Sequence, residues 1–404
     1  MSPTPPTLAA LRRTPNTLAS DYSRFRVTER VLLTGHSHQA WPDVAREAQL
    51  AAWDDAATHV DEKWERAFEM AQRVREGFGV LLGAPADEIA LGQNTHELVT
   101  RFLSALPFEQ RPRLVTTDGE FHTIRRQMDR LGEAKWCQVV KLPARPVATL
   151  AERLAETVDD RTAAVMVSSV LFETAEIVPE LGALAGACAR RGAELLVDGY
   201  HQLNVVPCSL SAEGLARAFV TGGGYKYCQL GEGSCFLRVP PGSERHRPVV
   251  TGWFSEFGRL TGKSTGDVPY GEGPARWAGS TYDPSSHYRA ARVFEYFRER
   301  GLTPAFLREV SRHQVGRLAS RFDALDLDPA VVARERAIPL ERIGGFLALR
   351  TPRAAELSRV LRAREVWTDH RGDVLRLGPA PYLSDAQLDA AIAALGKAAG
   401  GMAA

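Results

Sequence analysis

Asp198 and Lys226 are the residues whose types and spacing most directly suggest chemistry. Asp198 ends the apolar run Leu195-Leu196-Val197, which reads as a short buried strand of a parallel sheet. Open α/β sheets place their ligands at such carboxyl ends. His201 follows, and a second apolar run, Ala218-Phe219-Val220, gives way to Thr221-Gly222-Gly223-Gly224 and the pair Tyr225-Lys226. The glycines let the backbone approach a ligand closely. Taken singly, an Asp after a strand is often a helix cap, and a Lys after glycines a solvated turn residue. Together they supply an amine that can condense with an aldehyde and a carboxylate that can keep a ring nitrogen protonated. A pyridoxal 5'-phosphate (PLP) site needs that pair.

The stretch from Glu194 to Phe236 resembles the core of the fold-type-I PLP-dependent enzymes, in the class V aminotransferase branch. Within that branch, Asp198-Gly199-Tyr200-His201 followed by Tyr225-Lys226-Tyr227 is most similar to kynureninase, which carries Asp-x-x-His and Ser-Tyr-Lys-Tyr. Cysteine desulfurases usually have Gln where His201 stands and His-Lys where Tyr225-Lys226 stands. They also need a nucleophilic Cys in the C-terminal third, and this chain has none after Cys235. The resemblance implies that Lys226, Asp198 and Tyr225 are catalytic and that His201 lies at the cofactor.

The elements that must position these groups are legible on either side. Asp87 to Gly92 reads as a strand, and Gln93-Asn94-Thr95-His96-Glu97 opens a helix reaching Leu106. Such a junction favours an anion through free N–H groups and the helix dipole, so Asn94 and Thr95 become phosphate candidates as well as caps. After the strand Leu114 to Thr117, the resemblance places Phe121 on the cofactor ring and Thr123 nearby; a plain core role is the alternative for Phe121. One of Arg125 and Arg126 is expected to face the site. Ser169 stands where kynureninases tend to have His, and is expected either at the cofactor or substrate or on backbone groups. Thr251-Gly252-Trp253-Phe254 resembles the family's Gly-Trp-Trp, which puts Trp253 at the phosphate. Ser280 and Thr281 resemble a segment that a partner subunit contributes to the phosphate cup, implying a homodimer with sites at the interface. The loop Thr34 to Pro42 resembles the family's substrate loop, with Ser37 and His38 as substrate contacts. Arg376, in the apolar string Val374-Leu375-Arg376-Leu377, needs an anionic partner. An internal salt bridge would serve. The resemblance points instead to a two-point clamp on a substrate α-carboxylate.

Length and composition frame the rest. At 404 residues the chain suggests an N-terminal segment over 1–43, a large PLP-binding α/β domain over 44–277, and an interdomain helix with a small α+β domain over 278–404. The expected fold class is therefore the α/β fold-type-I architecture, with a mainly parallel central sheet and a small C-terminal domain. Helices are expected over 44–83, 285–300 and on through Val315, with short strands and helices from Leu318. A net charge of +1 with no basic block argues against a nucleic-acid partner. No stretch reads as a signal peptide or membrane span, so a soluble, cytoplasmic protein is expected. The five cysteines have no metal or disulfide spacing, and no metal is expected. Gly262 to Gly266 lacks the spacing of a nucleotide-binding loop. The expected substrate is an amino acid. The expected reaction is kynureninase-like hydrolytic Cβ–Cγ cleavage, giving an aromatic acid and alanine. The alternative is a class V aminotransferase or another PLP-dependent lyase.

Overall fold

The computed structural model describes residues 5–259 and 266–403; Gly262 to Thr265 of the loop discussed above lie outside them. In chain order the helices are α1 (Leu8–Arg12), α2 (Val44–His59), α3 (Lys63–Leu82), α4 (Thr95–Ser104), α5 (His122–Glu133), α6 (Leu150–Thr157), α7 (Leu181–Arg191), α8 (Ser285–Glu299), α9 (Pro304–Asp323), α10 (Ala354–Arg362) and α11 (Asp385–Ala403). The strands are β1 (Val31–Leu32), β2 (Ile89–Gly92), β3 (Arg113–Thr117), β4 (Gln138–Leu142), β5 (Thr162–Ser168), β6 (Glu194–Asp198), β7 (Phe219–Gly223), β8 (Cys235–Arg238), β9 (Leu347–Arg350), β10 (Val366–Trp367), β11 (Asp369–Arg371) and β12 (Val374–Leu377).

Seven strands form the central sheet in the order β2-β8-β7-β6-β5-β3-β4. The β3, β4, β5, β6 and β7 strands run parallel. Their apolar runs are buried, as a sheet covered on both faces requires. One strand departs from the parallel pattern: β8 is antiparallel to both β7 and β2. The chain returns from Lys226 through turns without the helix a parallel crossover needs. From β3 the chain moves outward to β4 and then crosses back to β5, so the strand order reverses between β3 and β5. A ligand crevice belongs at the carboxyl ends there. Thr117, Ser168 and Asp198 end their strands at that edge.

A second, antiparallel sheet has the order β11-β12-β9. The β11 strand was not legible: Asp-His-Arg reads as a polar loop, yet it forms a tight hairpin with β12 around Gly372, whose φ of +53° suits glycine. Helix α9 also outruns expectation, reaching Asp323, with Leu318, Ala319 and Phe322 buried on its inner face. The N-terminal segment is stitched to this sheet's neighbourhood. β1 pairs with β10, and Gly35 and Gly378 exchange backbone bonds with their neighbours across the gap at 2.9 and 2.8 Å. That stitching carries the 34–42 loop to the central site, where the Gln39 N–H donates to the Tyr225 carbonyl at 3.2 Å. Among the described residues no helix is long and apolar enough to cross a membrane.

Candidate active site

A cavity of about 250 Å³ opens at the carboxyl edge of the central sheet. It brings together Asn94, Thr95, Phe121, Thr123, Asp198, His201, Tyr225 and Lys226. Lys226 arrives from the glycine run after β7. A Cβ on Gly223 would lie 2.4 Å from the Cys235 sulfur and 2.5 Å from the Tyr200 hydroxyl, so only glycine fits there. The lysine is 4% exposed, and its Nζ lies 2.8 Å from His201 Nε2. The ring of Tyr200 lies 4.5 Å and that of Phe121 5.3 Å from Nζ. Burial pulls the amine down to about 7, although the Asp198 carboxylate works the other way. A free amine is therefore accessible near neutral pH, as a nucleophile or proton acceptor requires. Burial also holds His201 well below its usual range, with the Lys226 charge adding to the effect. A neutral His201 accepts from Lys226 at Nε2, which puts its proton on Nδ1, an atom without a partner.

Asp198 ends β6 and accepts the Tyr200 N–H at 2.9 Å. Its carboxyl is raised chiefly by burial, against the pull of that bond and of Lys226. On the other side stand two helix starts. Asn94 caps α4 by accepting the Glu97 N–H at 2.9 Å, and Phe121 precedes α5 without any side-chain cap. Both starts present N–H groups beside the cavity, an arrangement that favours an anion. Tyr225 forms a wall, is pushed up to about 12 mainly by burial, and is covered on its outer face by His38, stacked at 5.0 Å and 20°.

The remaining candidates are placed differently. Ser169 turns away: its hydroxyl donates to the Asp198 carbonyl at 3.3 Å, and the strand alternation leaves Ser168 lining the cavity in its place. Ser37 bonds back to Thr34 within its own turn. Trp253 is 44% exposed and packs on Phe254 and Phe257, outside the cavity wall. Ser280 and Thr281 are exposed and do not line it either. Neither Arg125 nor Arg126 faces it; both lie on the outer side of α5, where Arg125 contacts His122 and Asp129.

Arg376 sits just behind the wall. It is 2% exposed, and its Nη1 donates at 2.6 Å to the carbonyl of Phe172, itself a wall residue. Its anion is internal: Nη2 pairs with Asp369, the residue directly opposite on β11. Asp369 also pairs with Arg371 at 2.8 Å. Two guanidinium groups share one carboxylate, so this trio retains a positive charge, and Arg376 Nε has no partner. Sequence reasoning missed Asp369 because β11 was not foreseen. It also passed over Glu120, which is 1% exposed and accepts from the Thr117 and Ser168 hydroxyls at 2.6 Å each. Burial raises that carboxyl to about 7; the two hydroxyls oppose the rise. The Thr-x-x-Glu spacing at the end of an apolar strand was the available signal.

No family model matches the chain. An uncharacterized aminotransferase of Bacillus subtilis (strain 168), YcbU, is 23% identical over 344 residues, covering 84% of this chain and 86% of that protein. Among solved structures, C-DES with glycine covalently linked to its PLP cofactor superposes with a TM-score of 0.82 at 16% identity, over 93% of this chain and 98% of the other. A second C-DES structure, of the cystine C-S lyase with its product cysteine persulfide, gives a TM-score of 0.80 at 16% identity over 92% and 98% of the two chains. A cysteine desulfurase from Thermococcus onnurineus NA1 gives 0.78 at 16% identity over 96% and 98%. The chain has the fold-type-I architecture. None of these relatives is named as a kynureninase, so the kynureninase expectation finds no support among them.

Proposed function

We propose that this protein is a PLP-dependent enzyme that removes the α-proton of an amino-acid substrate, with transamination as its reaction. One observation carries the reading: a buried lysine poised near neutrality and a buried carboxylate line one cavity, beside the starts of two helices. The residues fit PLP in kind. Lys226 offers the amine, Asp198 the carboxylate for the ring nitrogen, Phe121 an aromatic face, and Asn94-Thr95 the phosphate end. When bound, PLP supplies an electron-accepting ring that acidifies the substrate's α-proton.

The chain's own groups do the remainder. Lys226 Nζ takes the α-proton and can return it to a neighbouring carbon. Neutral His201, 2.8 Å away, holds that amine in position and is too weak a base to keep the proton. Arg376 and Arg371, short of one negative charge, draw the substrate α-carboxylate towards Arg376 Nε. A second copy of the chain would supply Ser280 and Thr281 to the phosphate end.

Persulfide chemistry of the desulfurase kind has no thiolate here. Cys235 is the cysteine in the cavity wall, and burial pushes it up to about 12. Hydrolytic cleavage of a kynurenine ranks behind transamination because the named relatives are an aminotransferase and C–S cleaving enzymes. Purified protein with PLP should convert members of an amino-acid panel to 2-oxo acids only when an acceptor oxo acid is supplied. Acceptor-independent pyruvate and ammonia would assign a lyase; alanine from kynurenine would assign hydrolysis. Either outcome replaces the transaminase reading.

A further inference from the structure

A second cavity, of about 290 Å³, lies between α3, α8 and residues 254–257 and 274–282. It meets the Lys226 cavity only at Gln93, which lines both. Its walls include Phe68, Phe254, Phe257 and Tyr282, and the rings meet edge to face: Phe68 on Phe254 at 6.1 Å and Phe68 on Phe257 at 5.5 Å. Two polar groups face this aromatic lining, one a cation without a counter-ion and the other an imidazole without a hydrogen-bond partner. Arg75 gives Nε to the Ile89 carbonyl at 3.2 Å, but no carboxylate among the described residues pairs with its charge. His287 is 2% exposed, and neither ring nitrogen has a hydrogen-bond partner.

The nearby carboxylates are committed elsewhere. Glu97 pairs with Arg101, and Asp283 accepts from the Ser285 N–H and hydroxyl at 2.9 and 2.8 Å. A half-buried cation without a counter-ion and a buried imidazole both carry a desolvation cost, which an anionic ligand accepting from the guanidinium and from the one imidazole N–H would lower. The site holds a single cation, so a dianion such as phosphate would bring charge that nothing balances. Aromatic walls favour a flat ring packed by offset or edge contacts. The volume is at the small end for ligand pockets, which suits one ring.

We propose that this cavity binds a small aromatic carboxylate, its carboxyl on Arg75 and His287 and its ring among Phe68, Phe254 and Tyr282. None of its anchoring groups lines the Lys226 cavity, although Ser280, which the proposed dimer would direct to a partner's phosphate end, borders this pocket. Benzoate is the probe, titrated calorimetrically into the full chain alongside benzamide, its uncharged counterpart. Benzoate should saturate one site per chain, with benzamide bound more weakly. Arg75→Gln should weaken benzoate on the order of 10- to 100-fold, the loss of one charge-assisted contact. His287→Phe, which keeps the ring and removes both nitrogens, should weaken it as well. Arg376→Gln should leave it unchanged, separating this site from a carboxylate anchor near Lys226. If Arg75→Gln does not fold, Arg75→Lys and His287→Phe decide. Benzoate affinity unaltered in every Arg75 and His287 variant that folds, or lost in an Arg376→Gln protein that remains folded, overturns the proposal. So does wild-type protein that takes up no benzoate because a second copy fills the cavity.

Discussion

Replacing Arg376 by lysine separates its two roles. In the fold, the guanidinium makes one bond to the Phe172 carbonyl at 2.6 Å and one to Asp369, and it is almost wholly buried. A lysine ammonium keeps the charge but cannot span both partners, so Arg376→Lys should lose one charge-assisted bond, about 1.5–3 kcal/mol of stability. Losing the Nε contact to the substrate α-carboxylate should cost a further ~1.5–3 kcal/mol in transition-state binding, or about 10- to 150-fold in kcat/KM. Urea unfolding reads the first quantity and steady-state kinetics the second. Asp369→Asn is the control: it breaks the same ion pair but leaves the guanidinium fork, so it should lower the urea midpoint comparably and reduce kcat/KM far less. If Arg376→Lys is destabilised yet keeps kcat/KM within about twofold for every amino acid turned over, Arg376 is purely structural.

Two further outcomes follow from the buried carboxyls. Asp198→Ala should keep the fold, because the side chain makes a single backbone bond, to Tyr200; it should lose nearly all turnover, and unchanged kcat with intact circular dichroism would remove Asp198 from the chemistry. Glu120 is raised in the fold to about 7 from an ordinary value of 4.5, so the folded protein holds its proton more tightly. Its stabilising contribution is full below the unfolded value and is lost as pH rises through the folded one. Glu120→Gln stays neutral throughout, so the Tm difference should move in the variant's favour between about pH 5 and about pH 8. A pH-independent difference would refute the assignment.

The parts of the site that lie within one stretch of sequence were the legible ones. Strand ends at Asp198 and the glycine run before Lys226 combine burial periodicity with an abrupt change of residue type, and both signals are local. Asn94 capping α4 is local as well. What sequence could not supply was set by pairing between distant elements. Asp369 faces Arg376 only because β11 folds back on β12 through a two-residue turn, and nothing in Asp-His-Arg-Gly has strand character. The choice between Ser168 and Ser169 depended on where β5 stops, because one residue of shift exchanges the two faces. Trp253, Ser280 and Thr281 do not line the Lys226 cavity of their own chain, a placement that no local signal around them sets.

The central claim is that Lys226 carries PLP, and the chain has six lysines at which to test it, Lys63, Lys135, Lys141, Lys226, Lys263 and Lys397. Protein incubated with PLP and reduced with borohydride should, on peptide mapping, show the pyridoxyl group on Lys226 alone. A pyridoxyl group on another lysine with Lys226 unlabelled, or no label at all, would contradict the account.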